Sequence, residues 1–188
     1  MNLKKLVLTS GLLVSTLFAG NYNVDGAHSS VGFQVKHMMI SKVTGTFEKF
    51  EGTFEYDEKT DTLKSLSGKI DVTSINTANA KRDKHLNADD IFDSAKYPTI
   101  DFVVTKIDGD DVYGDFTLKG VTKNIKLDFD EGGSIVDQRG TQRAGFSLEG
   151  EINRSDFGLT YNSVLEAGGV TIGDTVKLNI EIQGKEVK

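Results

Sequence analysis

Residues 112–129 read VYGDFTLKGVTKNIKLDF, and an apolar residue or a glycine takes almost every second position on either side of the Lys119-Gly120 pair. Lys123 is the exception in this stretch. A period of two is typical of β-strands that bury one face. These residues therefore predict two consecutive strands with their apolar faces turned toward a core.

The same period recurs six more times along the chain. Together the eight apolar runs cover residues 31–35, 50–56, 66–72, 100–104, 112–118, 121–129, 146–152 and 176–182. Eight such strands in a chain of modest length predict an all-β fold, an antiparallel sheet closed on itself around an apolar interior. A barrel of this size is either filled by its own side chains or holds one small ligand.

The first nineteen residues do not share this pattern. Lys4 and Lys5 precede a mostly apolar stretch at 6–18, and Ala19 is followed by polar residues. This order is typical of a secretory signal peptide that is cleaved after a small residue. We therefore expect residues 1–19 to be a signal peptide and residues 20–188 to form one β-barrel domain, exported to the periplasm or to the medium.

The composition argues against several classes of function. The chain has 28 acidic and 22 basic residues, a formal charge of −6, which argues against a nucleic-acid surface and against general attraction to anionic membranes. It has no cysteine, and its three histidines, His28, His37 and His85, are too scattered to predict a metal site. Motifs for phosphate-binding loops, serine hydrolases, zinc proteases and dinucleotide binding are missing from the sequence. We expect neither an enzyme nor a resident metal or cofactor.

The lengths of the connections predict where the barrel opens. In an up-and-down barrel, the links that leave odd-numbered strands lie at one rim. Three of these four links are long, at residues 36–43, 76–97 and 155–173, and long loops in a compact domain are usually functional. The second link contains a short predicted helix, capped by Asn79, between the third and fourth strands. We expect a rim of adaptable apolar loops and one helix over an apolar interior.

Four glycines, Gly52, Gly68, Gly114 and Gly150, fall on the inward face of the predicted strands. One interpretation is that they remove volume and leave a cavity for a ligand. The other is that they allow strongly coiled strands to bend at the corners of the barrel. The two interpretations are compatible.

The predicted helix carries the polar group that best suits a ligand contact. Arg82 and His85 are three residues apart and share one helix face. At the rim of an apolar cavity they would meet a phosphate, a carboxylate or a quinone oxygen. The alternative is that Arg82 pairs with Asp83 or Asp89 and only holds the loop in place.

Several ordered motifs connect the chain with a known family. They are Asp25 with His28-Ser29, Gly45-Thr46-Phe47, Ser74-Ile75-Asn76-Thr77, Arg82-Asp83-Lys84-His85-Leu86, Tyr97-Pro98-Thr99-Ile100-Asp101-Phe102, Leu118-Lys119-Gly120-Val121-Thr122-Lys123 and Arg154-Ser155-Asp156-Phe157-Gly158. With these motifs in this order, the chain resembles the YceI-like family of exported bacterial proteins, thought to bind polyisoprenoids or related lipids. The resemblance implies an eight-stranded antiparallel lipocalin-like barrel with a long apolar pocket, and a binding role without a characterised reaction.

From the residues and the resemblance together, we expect the barrel to bind a long-chain amphiphilic lipid, such as an isoprenoid quinone or a polyprenyl phosphate, as a carrier, store or buffer. The residues expected to contact it are the tail-lining Phe33, Phe54, Ile70, Phe102, Phe116 and Phe146, the mouth residues Met38 and Met39, and the head-group residues Arg82 and His85. An exposed Met38-Met39-Ile40 cluster would suit a homodimer that covers the rim. The alternative is a filled barrel that acts as a stress-related protein-interaction module without a lipid ligand.

Overall fold

The computed structural model describes residues 19–165 and 168–187. Except for Ala19, the predicted signal peptide lies outside the described residues, so that assignment stays a prediction. No helix within the described ranges is both long and apolar enough to cross a membrane.

Eight strand positions form the barrel wall, and the first three are each divided into two segments. The elements are β1 (Gly20–Val24), β2 (Ser30–His37), β3 (Ser41–Phe47), β4 (Phe50–Asp57), β5 (Thr62–Asp71), a 3-10 turn (Val72–Ser74), β6 (Ile75–Asn76), α1 (Ala80–Leu86), β7 (Thr99–Asp108), β8 (Asp111–Leu118), β9 (Val121–Val136), β10 (Gln142–Asn153), a second 3-10 turn (Arg154–Phe157) and β11 (Ile172–Glu186). All eight predicted strands and the helix are present.

Antiparallel pairing closes the wall on itself. β1 and β2 pair one after the other with β11, while β4 pairs with β1 and β3 pairs with β2. β5 pairs with β4, and β6 pairs with β3. β7 pairs with β5, and β8, β9 and β10 follow in chain order until β10 pairs with β11. The predicted closed antiparallel barrel is therefore confirmed.

In the observed numbering, the links of the predicted rim follow β2, β6, β8 and β10. Two of the three segments predicted as long loops, residues 76–97 and 155–173, are long connections between strands. Lys119 in the link between β8 and β9 donates from Nζ to the main-chain oxygen of Ile91, and Met38 N–H donates to Thr171 O at 2.7 Å. Together with the edge-to-face contact between His85 and Tyr161, these contacts bring all four links together at one end. The exception is residues 36–43, predicted as a long loop. They form the ends of β2 and β3 around a tight turn, in which Ile40 N–H donates to His37 O at 3.3 Å.

Aromatic rings fill the opposite end of the barrel. Tyr22 stacks on Phe54 with 5.0 Å between ring centroids, and Phe54 meets Phe146 edge to face at 5.1 Å. Tyr56 lies parallel to Phe146 at 6.5 Å. All four side chains are buried. We call this end the packed half, because its interior is occupied by its own side chains.

A buried carboxylate lies at the break between β1 and β2. Asp25 Oδ2 is 2.9 Å from Lys185 Nζ, 3.0 Å from His28 Nδ1 and 3.0 Å from Arg143 Nη1. Hydrogen bonds from Lys185 above all, and from His28 and Arg143, hold the pKa of the Asp25 carboxyl well below its usual range. Since Arg143 belongs to β10 and Lys185 to β11, this carboxylate fastens the broken strand to the seam that closes the barrel.

Replacing Asp25 by Asn tests this cluster. We expect the variant to lose about 2–3 kcal/mol of unfolding free energy near neutral pH, because three donors then face a neutral amide. The folded pKa lies below the unfolded value, so the stability from Asp25 is present at neutral pH and is lost as the pH falls below about 4. Urea unfolding across the acid range checks this. An acid dependence equal to that of the wild type would contradict the role of Asp25.

Candidate functional site

An apolar cavity of about 130 Å³ lies at the rim where the links meet, and we call it the mouth cavity. Its walls come from β2, β3, β7, β8, β10 and β11 and from the links that hold α1 and the second 3-10 turn. The lining includes Phe33, Val35, Phe47, Leu86, Ile91, Phe92, Leu159, Tyr161, Val176 and Leu178. Among the described residues that line it, Arg154 alone carries a charge.

A second apolar cavity of about 60 Å³, the inner cavity, lies further from the rim. Phe116 and Leu178 border both cavities, so their side chains form the partition between them. Gly52 and Gly68, on the neighbouring strands β4 and β5, contribute bare backbone to the inner wall. An apolar chain that entered through the mouth cavity would reach the inner one by displacing the partition.

The inward glycines differ in what surrounds them. A Cβ built on Gly68 meets no atom nearer than Glu51 O at 3.9 Å, so this position opens onto free space. A Cβ on Gly114 would overlap the ring of Phe102, and one on Gly150 would overlap the side chain of Leu127. Of the two interpretations of the inward glycines, removed volume fits Gly68, where the missing side chain leaves free space. At Gly114 the glycine makes room for a ring of the protein itself.

The structure separates the predicted tail-lining residues by depth. Four of them border a cavity: Phe33, Ile70, Phe102 and Phe116. The other two, Phe54 and Phe146, border neither apolar cavity, because they lie in the packed half. A period of two shows which face a residue takes but not its height in the barrel, which explains the difference.

Of the two predicted head-group residues, Arg82 is engaged within its own loop. Its Nε donates to Thr77 Oγ1 at 2.7 Å and its Nη2 donates to Thr77 O at 2.8 Å. Asp83 accepts from the N–H of Thr77 at 2.9 Å and from its hydroxyl. Arg82 therefore holds the segment before α1, the structural role of the alternative interpretation, with Thr77 as its partner rather than Asp83 or Asp89.

His85 lies nearer to the mouth cavity. Its Nε2 is 3.2 Å from Asp90 Oδ2, and its ring meets the Tyr161 ring edge to face with 4.9 Å between centroids. Tyr161 is part of the cavity lining. Tyr161 therefore lies between the His85 imidazole and the mouth cavity, and the imidazole is half-exposed to solvent.

The predicted mouth residues Met38 and Met39 form the turn between β2 and β3, and both are exposed. Neither is in the lining of the two apolar cavities. They lie beside the opening, since Met38 is hydrogen bonded to Thr171, the residue before the lining residue Ile172.

Arg154 is the site residue that sequence reasoning assigned no role. Its guanidinium donates to four main-chain oxygens: Gly173 at 2.9 Å, Tyr161 at 3.0 Å, Ile172 at 3.4 Å and Leu159. In the described part of the chain, no carboxylate forms an ion pair with it. Burial lowers the pKa of Arg154 from its ordinary value. Carbonyl dipoles therefore solvate this charge. Through these hydrogen bonds, Arg154 holds together the start and the end of the link between β10 and β11.

Comparisons with known proteins identify the family. The family description of the YceI-like domain matches residues 22–184 of the chain. The chain belongs to the YceI-like family. UPF0312 proteins of Staphylococcus aureus strains MSSA476 and USA300 are each 39% identical over 158 residues, which cover 84% of this chain and 92% of the relative. The family predicted from the sequence is confirmed.

Solved structures carry the same fold as this YceI-like protein. The crystal structure of a Campylobacter jejuni YceI protein is 38% identical, with a TM-score of 0.70 over 87% of this chain and 96% of that one. A Saccharophagus degradans domain, described as polyisoprenoid binding and as implicated in plant cell wall breakdown, is 19% identical. Its TM-score is 0.64 over 90% of this chain and 100% of that one, a likeness of fold.

Two alanine substitutions test the difference between the inward glycines. Gly114→Ala should cost about 1–3 kcal/mol of unfolding free energy, because the new methyl group overlaps the Phe102 ring. Gly68→Ala should change stability by about 0.5 kcal/mol or less, since its methyl group enters free space. Urea unfolding of both variants checks this, and equal losses would contradict the assignment of Gly68 to an open cavity.

Arg154→Lys tests the anchoring of the rim. Lysine keeps the charge but cannot present a planar fork to four carbonyls, so we expect a loss of about 2 kcal/mol. Amide hydrogen exchange should become faster around Leu159 and Ile172. The matched control is Arg139→Lys at an exposed position, which should leave both measurements unchanged. Unaltered exchange in Arg154→Lys would show that the rim does not depend on this side chain.

Proposed function

We propose that this YceI-like protein binds a long-chain amphiphilic lipid inside its barrel, tail first, and serves as a carrier, store or buffer in the bacterial envelope. The proposed ligand class is an isoprenoid quinone or a polyprenyl phosphate. The observation that carries the proposal is the pair of apolar cavities divided by Phe116 and Leu178. Periplasmic location is part of the proposal and rests on the predicted signal peptide.

The energetics of burial favour a chain-like ligand over a compact polar one. Burying apolar carbon contributes roughly 0.8 kcal/mol per CH₂, so one five-carbon isoprene unit contributes about 3–4 kcal/mol before the costs of association. Cavities of about 130 and 60 Å³ are smaller than a typical ligand pocket of roughly 300–1,000 Å³. A long tail therefore requires the barrel to widen around these cavities rather than in the packed half, whose interior is filled by aromatic rings.

The polar end of the ligand would stay at the rim. Arg154 uses four of the five N–H donors of a guanidinium on main-chain oxygens, which leaves one for a head-group oxygen. His85 and the Tyr161 hydroxyl are further polar groups beside the opening. This arrangement supports an amphiphile with an oxygen-bearing head. The Saccharophagus degradans domain adds a protein of the same fold that is described as polyisoprenoid binding.

A leucine at Gly68 tests the proposal directly. The side chain would occupy the inner cavity, so Gly68→Leu should take up a ubiquinone with a short isoprenoid tail about tenfold less well than the wild type, as judged by native mass spectrometry. Gly26→Leu is the matched control, because Gly26 is exposed and a Cβ at this position would meet no other atom within 4 Å. Equal uptake by the wild type and Gly68→Leu would rule out the inner cavity as the binding site.

The packed half favours a second candidate, a barrel that acts through its outer surface without a lipid. Phe54 and Phe146 already fill the interior at that end. Protein purified from its host envelope distinguishes the two candidates. A bound long-chain species supports the carrier role. A bare mass that persists after incubation with quinones and polyprenyl phosphates supports the second candidate.

A further inference from the structure

We infer that the turn between β2 and β3 docks the protein on the surface of an anionic lipid bilayer, with the mouth cavity facing that surface. This inference rests on the proposed lipid-binding function and names the partner from which the ligand comes. It concerns an exposed apolar surface, the tip patch, which consists of Met38, Met39, Ile40, Val164 and Val170.

The tip patch is continuous although it comes from two segments of the chain. Met38 N–H donates to Thr171 O at 2.7 Å, and Met39 Cγ lies 3.6 Å from the point that a Cβ would occupy at Gly169. Val164 pairs with Val170 in a β-bridge. Ile40 is 88% exposed and Val164 is 82% exposed, so the most apolar side chains of the patch stand in solvent. Contiguous exposed apolar surface of this kind marks an interaction site.

The turn between β2 and β3 places two methionines in a left-handed backbone conformation that methionine disfavours. Met38 and Met39 have φ angles of 51° and 65°, and the Ile40 N–H to His37 O hydrogen bond completes a type I′ turn. Asn-Gly is the favoured pair at these two positions, because both require a left-handed backbone. Two methionines are strained there, and both side chains nevertheless remain exposed. Strained residues of this kind point to a contact made outside the molecule, and methionine side chains adapt readily to apolar partners.

The charge next to the tip patch identifies the partner as anionic. Lys36 and Lys42 are direct partners across β2 and β3, and both are exposed. Like charges directly opposite each other destabilise a sheet. In the described ranges neither lysine forms an ion pair, and Glu166 of the adjoining segment lies outside those ranges. Phosphate groups of anionic phospholipids would relieve this repulsion locally, although the whole chain is acidic.

The same charges disfavour the predicted homodimer at this surface. A two-fold interface brings each patch onto its own copy, so the lysine pairs of both chains would approach one another. A bilayer offers phosphates to the lysines and acyl chains to the apolar tip at the same time. The mouth cavity adjoins the patch through Tyr161 and Ile172. Docking by the tip therefore places the opening where a lipid tail leaves the membrane.

The decisive variant replaces Met38 by Asn and Met39 by Gly. Because Asn-Gly suits the turn, this variant should have a higher Tm than the wild type, so weaker binding would not be a consequence of unfolding. Its affinity for vesicles of phosphatidylglycerol and phosphatidylethanolamine should fall by about tenfold in a flotation assay. The matched control, Ile135→Asn with Val136→Gly, removes two exposed apolar side chains at the far end of β9 and should bind as the wild type does.

Three outcomes would overturn the inference. The wild type fails to float with these vesicles, the turn variant binds them as well as the wild type, or the variant instead converts a dimer into a monomer in sedimentation velocity. Uptake of a short-tailed ubiquinone without vesicles separates this test from that of the proposed function. Unchanged uptake by a turn variant that no longer floats supports docking. Flotation of a wild type that takes up no quinone supports docking while the lipid-carrier proposal fails.

Discussion

The pairing of β11 along its whole length is the constraint on which this structure depends. One edge of this strand pairs with β10, and the other pairs first with β2 and then with β1. Closing the sheet here removes the exposed edges that an open sheet would present. The strand on this side of β11 is interrupted between β1 and β2, and Asp25 lies at that break with cations from both β10 and β11 around it. The ion cluster therefore lies at the same strands, β10 and β11, at which the barrel closes.

Closure also divides the interior into two unlike parts. In the packed half, aromatic rings from several strands meet and leave no room for a guest. Toward the rim, the links between strands replace strand side chains as the wall, and apolar space remains. The two hypotheses drawn from the sequence, a filled barrel and a ligand-holding barrel, each describe one end of the same molecule.

Much of the fold could be predicted from the sequence, because a period of two survives in all eight strands of the wall. The short helix could also be predicted, because its signal is local: Asn79 caps it and accepts a hydrogen bond from Arg82 N–H at 3.1 Å. β1 could not, because five residues are too short a run to show alternation clearly. β3 was missed although Val43, Gly45 and Phe47 keep the period of two, because residues 36–43 were predicted as a long loop.

The site was predicted less completely, since alternation gives the face of a residue and not its depth. Phe102 and Phe54 have the same pattern in the sequence, yet only Phe102 borders a cavity. Arg154 gave no signal because its partners are main-chain oxygens, which every residue has and which a sequence pattern therefore cannot single out. Arg82 likewise turned out to bind Thr77, a residue whose neutral side chain does not suggest an ion pair.

The two ends of the barrel are also held by electrostatics of different kinds. At the seam, attraction between Asp25 and its cations requires an ionised carboxylate. At the rim, the Arg154 charge meets carbonyl oxygens, whose dipoles do not titrate. Acidification would therefore weaken the Asp25 cluster at the seam, while the hydrogen bonds from Arg154 to carbonyl oxygens at the rim would remain. The Arg154 anchor beside the mouth cavity would therefore persist at a pH at which the seam at the far end has already lost its ion pairs.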